Sequence, residues 1–144
     1  MSSTQHICRR ERGAAVVEFA LVLPLLLMLV LGAIDWGWYF YTREVVTNAA
    51  REGARTGSVS AVGSSNAQTA AKNAATTYLL NLNLTGGTVN VTTPDVTVGT
   101  TVTHTVRVIV SYPAGSLTGF TLPGFMSLVP SSITATAQMR GEWP

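Results

Sequence analysis

Residues 14–34, AAVVEFALVLPLLLMLVLGAI, form an unbroken apolar run of 21 residues whose only charged side chain is Glu18. As a helix that rises about 1.5 Å per residue, the run would reach about 31 Å, which matches one hydrocarbon core. The sequence therefore predicts a transmembrane helix over these residues. The positions predicted to lie in the membrane include Phe19, Leu21, Pro24, Leu27 and Leu31.

The charges that flank this run predict its orientation. Residues 9–12, RRER, carry a net charge of +2, which equals the formal charge of the whole chain. Basic residues gather on the cytoplasmic side of a membrane helix, so we expect a single pass with the N-terminus in the cytoplasm. The rest of the chain is neutral, and this pattern gives no support to a nucleic-acid partner.

A conventional cleaved signal peptide is the first alternative, because a basic segment and an apolar segment are both present. The apolar run is longer than a signal peptide needs. At the candidate cut after VLGA, Leu31 also stands where a small residue is expected. The sequence therefore favours a retained membrane helix.

The carboxylate of Glu18 requires an explanation, because an acidic side chain in a membrane helix is costly and usually functional. If the chain were cut after Gly13, the new α-amino group of Ala14 would lie about one helical turn from Glu18. An ammonium and a carboxylate that are buried together cost far less than either alone. The spacing therefore suggests an N-terminal amine as the partner of Glu18.

The pattern of Gly13, four apolar residues, Glu18 and the aromatic Phe19 resembles the class III signal of type IV pilin-like proteins. Together with the downstream EFALVLPLLLMLVLGAIDWGWYF and AAREGARTG, residues 13–57 more narrowly resemble the TadE-like minor pilins. These are pseudopilins of the Flp pilus system, which is also called Tad (tight adherence). The remainder of the chain resembles them only in its layout of helices followed by strands.

This resemblance implies a leader over residues 1–13, which a prepilin peptidase would remove by cutting between Gly13 and Ala14. It also implies a structural role for Glu18 in aligning subunits. Phe19 replaces the tyrosine usual in the short Flp pilins and the chain is longer, which favours a minor pilin over the main filament subunit. The partners implied are the prepilin peptidase, other Tad pilins and pseudopilins, the inner-membrane assembly platform and the lipid bilayer.

Beyond the membrane run, the helix is predicted to continue as a stem over residues 35–57 and to end at Gly57 as a left-handed cap. Aromatic residues open the stem, either as a belt at the outer membrane interface or as rings packed on the head. They are Trp36, Trp38, Tyr39, Phe40 and Tyr41. A stripe of small residues follows, which allows a second helix to approach closely. The stripe consists of Val46, Ala49, Ala50 and Gly53.

Residues 64–144 are predicted to form an extracytoplasmic α+β head. Its helix carries small and apolar residues at three- and four-residue spacing, with an alanine face that should pack on the stripe. These residues are Ala67, Ala70, Ala71, Ala74, Ala75, Tyr78, Leu79 and Leu82. Alternating segments then predict an antiparallel sheet of three or more strands. The inner face of the sheet is expected to include Val102, His104, Val106, Val108, Val110, Tyr112, Ile133, Ala135, Ala137 and Met139.

Four side chains are candidate contacts with neighbouring subunits, namely Trp36, Trp38, Phe120 and Phe125. The two phenylalanines belong to a long loop, Pro113 to Pro130, which either presents an apolar surface or folds back on the sheet.

No pattern typical of catalysis is present. Cys8 is the only cysteine, so neither an intramolecular disulfide nor a cysteine metal site is possible. His104 is expected to be a satisfied core residue, and no cofactor, metal or enzymatic activity is predicted. Two alternatives remain, an uncleaved membrane-anchored binding protein and, less favoured, an anchored enzyme.

Overall fold

The computed structural model describes residues 5–60, 63–98, 100–119 and 129–142. It contains a long helix and a shorter one, followed by four strands. The elements are α1 (Gln5–Ser58), α2 (Gly63–Asn81), β1 (Thr88–Thr92), β2 (Asp95–Val98), β3 (Thr101–Pro113) and β4 (Ser132–Arg140). The predicted α+β fold is confirmed.

Helix α1 divides into a bare half and a packed half. It has 54 residues, which corresponds to a length of about 81 Å. None of residues 13–34 is buried, whereas the second half of α1 contributes Val46, Ala49 and Ala54 to the core. The head therefore folds around the C-terminal half of a helix whose other half stands clear of it.

The contact between α1 and α2 is made of small side chains, as predicted. The whole stripe of small residues on α1 is buried. On α2 the buried residues are Ala67, Ala71, Ala75 and Leu79. Because these side chains are short, the two helix backbones approach closely.

Gly57 does not cap α1, so this prediction was wrong. The helix continues through Gly57 to Ser58, and Gly57 is not among the glycines with positive φ. A Cβ at this position would lie 2.8 Å from the Ala71 Cβ and 3.0 Å from the Ala67 carbonyl oxygen. Gly57 is therefore required for close packing rather than for a turn.

The contacts of two glycines fix the direction of the neighbouring elements. A Cβ on Gly53 would meet Ala75 and Val108, and one on Gly57 would meet Ala67 and Val106. As residue numbers rise along α1, they fall along both α2 and β3. Both elements therefore run antiparallel to α1 and return the chain toward the bare half of that helix.

The sheet is built around β3. Strands β1 and β2 lie end to end along one side of β3, since one continuous antiparallel register runs from Thr88 opposite Ser111 to Val98 opposite Thr101. Strand β4 pairs along the other side, from Ser132 opposite Pro113 to Arg140 opposite Thr105. The helices cover one face of this sheet, as is common for antiparallel sheets.

The covered face is shorter than predicted. Val106, Val108 and Val110 are buried against the helices, but Val102 and Met139 are exposed. Val102 lies beyond Val106 toward the start of β3, and Met139 lies near the end of the edge strand β4. The predicted contact residues Phe120 and Phe125 lie outside the described residues.

We expect Gly57→Ala to destabilise the head by a net of about 1 to 2 kcal/mol. The added methyl group overpacks the contact with Ala71, which outweighs the gain in helix propensity. Thermal unfolding of the full chain in detergent micelles, followed by tryptophan fluorescence, measures this effect.

Gly37→Ala is the matched control, because a Cβ at Gly37 would meet no atom within 4 Å. This change should leave stability unaltered or raise it by up to about 1 kcal/mol. Equal effects of the two substitutions would contradict the role assigned to Gly57.

Candidate functional site

The bare half of α1, residues 13–34, presents an apolar surface. Leu25, for example, is 70% exposed, and all the other large apolar side chains from Val16 to Val30 except the partly buried Leu23 are also exposed. By length and composition, α1 is a helix that can cross a membrane. These side chains have no cover from the described part of the chain, so lipid or other helices must supply it.

Glu18 and Phe19 lie on this bare part of the helix. Both side chains are exposed. Among the residues whose side chains are described, none forms a hydrogen bond or ion pair with Glu18. The carboxylate is therefore available to a group from outside the described residues.

The bond between Gly13 and Ala14 lies within α1, which begins at Gln5. Glycine is a poor helix former, so Gly13 is the weakest position in this part of the helix. A Cβ at Gly13 would have no neighbour within 4 Å. The bond is thus unobstructed by the described part of the protein.

Pro24 lies farther along the same helix, which continues through it. Because proline has no N–H, the carbonyl of Ala20 lacks its usual helical donor. Leu21, Leu27 and Leu31 lie around this position, and Leu31 is only half-exposed. The predicted membrane residues thus share one apolar segment in which Pro24 removes one helical donor.

Asp35, the first residue after the apolar run, forms a site that sequence reasoning missed. Its side chain is only 7% exposed. Ser116 Oγ donates a hydrogen bond to Oδ2 at 2.6 Å, and Thr118 donates from its N–H to Oδ1 at 3.0 Å and from its Oγ1 to Oδ2 at 2.9 Å. The loop after β3 is thereby tied to the base of the stem.

These donors stabilise the charged form of Asp35. The hydrogen bond from Ser116, followed by that from the Thr118 N–H, holds the pKa of the Asp35 carboxyl below its ordinary value, although burial opposes this shift. A carboxylate next to the membrane run is therefore kept ionised by the protein's own hydrogen bonds.

The aromatic residues after the membrane run divide between the two predicted roles. Trp38 and Tyr39 pack against the core, whereas Trp36, Phe40 and Tyr41 are exposed. The ring centroids of Trp36 and Phe40 are 5.6 Å apart. The Trp36 side chain is thus accessible to a partner, whereas Trp38 is partly buried against the core of the head.

The charges farther along the stem pair with one another. Arg55 donates to Glu52 at 2.7 and 3.0 Å, and this contact lowers the pKa of the Glu52 carboxyl. Both side chains are exposed to solvent, so the pair contributes little to stability.

His104 lies on the predicted face of β3 but at its exposed end. Its Nδ1 is 2.8 Å from Asp95 Oδ1, because the strand register places the two residues opposite each other. This partner could have been found by assuming a tight β2–β3 hairpin. In the part of the chain that the structure describes, no group of three or more His, Cys, Asp or Glu could hold a metal ion.

The family model for TadE-like proteins matches residues 13–55. Over this N-terminal segment the chain is similar to TadE-like proteins. The match begins at Gly13 and includes the whole apolar run and Asp35. It covers less than a third of the chain, so most of the head lies outside it. No curated protein and no solved structure matches the chain.

This likeness suggests a protein associated with a Tad pilus. Its apolar N-terminal helix also fits a protein anchored in a membrane.

We expect Asp35→Asn to lower the melting temperature of the head at neutral pH, because the amide replaces a charged acceptor of three hydrogen bonds. The pKa of Asp35 is lowered on folding, so its stabilisation is fully present above the ordinary value of 3.8 and is lost as pH falls through the lower folded value. Melting curves of both proteins at neutral pH and at about pH 3 test this.

The difference between wild type and Asp35→Asn should shrink as the solution is acidified below pH 3.8. Glu44→Gln, a change of an exposed carboxylate on the same helix, should have little effect at either pH. A difference that persists unchanged at low pH would contradict the role given to the ionised carboxylate.

Proposed function

We propose that this TadE-like protein is a minor pilin, or pseudopilin, of a Tad pilus. In this proposal a prepilin peptidase cuts the chain after Gly13, and the mature protein acts structurally in pilus assembly and surface adherence. The observation that carries the proposal is the match to the family, which begins at Gly13 and extends along the bare half of α1.

The proposed division of the chain follows from this processing. Residues 1–13 would be the leader and residues 14–34 the transmembrane helix. Residues 35–57 would continue that helix as the stem, and residues 64–144 would form the extracytoplasmic head. The +2 charge of residues 9–12 supports an N-terminus in the cytoplasm and a location in the inner membrane.

Glu18 has the environment that this role requires. It is exposed on the bare helix, and none of the described side chains is paired with it. Cutting after Gly13 would create a positively charged amine on Ala14, about one helical turn from the carboxylate. We propose that Glu18 meets such an amine, from its own or a neighbouring subunit, as subunits associate.

The position of the cut also agrees with the helix. Gly13 favours local unwinding, and an ideal Cβ on Gly13 would meet no atom of the described residues within 4 Å. The prepilin peptidase is therefore the first proposed partner, and other Tad pilins, pseudopilins and the inner-membrane assembly platform are the next. The exposed apolar helix would exchange lipid contacts for contacts with these helices.

The intact mass of the protein purified from membranes of its own host tests the processing step. We expect the mass of a chain that starts at Ala14. In a Gly13→Leu variant we expect the full-length mass, because a large side chain would occupy the position that the peptidase reads as glycine.

Gly32→Leu is the matched control, since Gly32 also lies on the membrane half of α1 with no atom within 4 Å of its ideal Cβ. This variant should still be cut after Gly13. A full-length wild-type protein would reject the pilin assignment and would favour an uncleaved anchored binding protein.

Glu18→Gln tests assembly separately from anchoring. The variant should remain in the membrane fraction and should still be cut, because the amide is neutral and of similar shape. Co-purification of Tad pilins should fall by about tenfold, which corresponds to about 1.4 kcal/mol of lost association.

Val17→Leu is the control for Glu18→Gln, because it changes the neighbouring exposed side chain without altering charge. This variant should retain the normal amount of co-purified pilins. Normal recovery with Glu18→Gln as well would show that the carboxylate has no part in assembly.

A further inference from the structure

The loop Ala114–Gly119 presents one apolar side chain away from the protein. Ser116 and Thr118 turn toward Asp35, whereas Leu117, between them, is 58% exposed. The loop has the sequence AGSLTG and contains no charged residue. Its only large apolar side chain is therefore held outward by hydrogen bonds on both sides.

The position of this loop along α1 follows from Asp35. The proposed membrane segment ends at residue 34, and Asp35 is the next residue. The loop is tied to that residue by three hydrogen bonds, so it lies at the level where α1 leaves the hydrocarbon core.

The direction of β3 leads to the same position independently. Val106 lies beside Gly57, and Val108 lies beside Gly53. From there β3 continues antiparallel to α1 as far as Pro113, and the loop follows directly. The strand therefore carries the chain back along the stem to its membrane end.

The surroundings of the loop suit a membrane interface. The Asp35 carboxylate already accepts hydrogen bonds from Ser116 and Thr118, so it requires little water. Next to it, Trp36 and Phe40 are exposed, and neither carries a charge. Aromatic side chains of this kind are enriched where a helix meets the headgroup region.

We propose that the loop Ala114–Gly119 is a second membrane contact, in which Leu117 enters the boundary between the headgroups and the acyl chains. The proposal rests on the membrane span of residues 14–34 proposed above. The head then stands on the bilayer that holds α1, and Asp35 is a positioning residue that fixes the height of the loop.

The test uses the full chain with Cys8→Ser, so that each variant carries a single cysteine for an environment-sensitive nitrobenzoxadiazole label. Leu117→Cys reports on the loop, and Leu25→Cys reports on the membrane helix. Val59→Cys is the matched surface control, because Val59 is 54% exposed and directly follows the C-terminal end of α1. Each protein is reconstituted into phosphatidylcholine and phosphatidylglycerol vesicles, with and without doxyl-labelled lipid.

We expect a blue-shifted emission at position 117 and quenching by shallow doxyl groups that is several-fold greater than at position 59. Asp35→Asn should reduce the quenching at position 117 and leave that at position 25 unchanged. Circular dichroism of each variant checks that the head remains folded.

Three results would overturn the inference, and they are distinguishable. Equal quenching at positions 117 and 59, with strong quenching at position 25, would reject the loop contact and retain the anchor. A blue shift at position 117 without lipid quenching would place Leu117 against protein. Absence of quenching at position 25 would reject the membrane span itself, and the loop contact with it.

Discussion

The contact of α1 with α2 and β3 at Gly53 and Gly57 is the constraint on which the head depends. At each position a Cβ would come within 3.0 Å of α2, so the backbones can approach this closely only where α1 has no side chain. The same two glycines set the distance to Val106 and Val108 on the central strand. Because one short interface joins both helices and the sheet, it determines the order and direction of the elements around it.

That interface also assigns different tasks to the two halves of α1. The C-terminal half is an ordinary core helix of a small domain, whereas the N-terminal half has no partner within the described part of the head. Because both halves belong to one continuous helix, the direction of the bare half is fixed relative to the head. Asp35 lies at the junction, and its hydrogen bonds attach the loop after β3 to the helix at that point.

Local patterns predicted most of the architecture. The apolar run, the alanine face of α2 and the alternation in β3 each follow from a period that is visible in the sequence. The sequence did not distinguish between two structural roles that fit the same residue. Gly57 fits a helix cap as well as it fits a close contact, and only the position of Ala71 distinguishes them.

The site at Asp35 was missed for a related reason. Its donor Ser116 is 81 residues away, and nothing in the local sequence links an aspartate after an apolar run to an AGSLTG loop. The pair of Asp95 and His104 is a simpler case, because only nine residues separate them and a hairpin register brings them together. Long-range pairing requires the direction of β3, which depends on the glycine contacts rather than on the strand pattern.

The two carboxylates at the ends of the bare helix are in opposite states, and the difference is informative. Asp35 is buried and accepts three hydrogen bonds from its own chain, so folding alone satisfies it. Glu18 is exposed on an apolar helix, without a partner among the described side chains. A carboxylate in a membrane helix is costly without a partner. Folding therefore satisfies the carboxylate at one end of the bare helix, and in the proposed function processing and assembly satisfy the other.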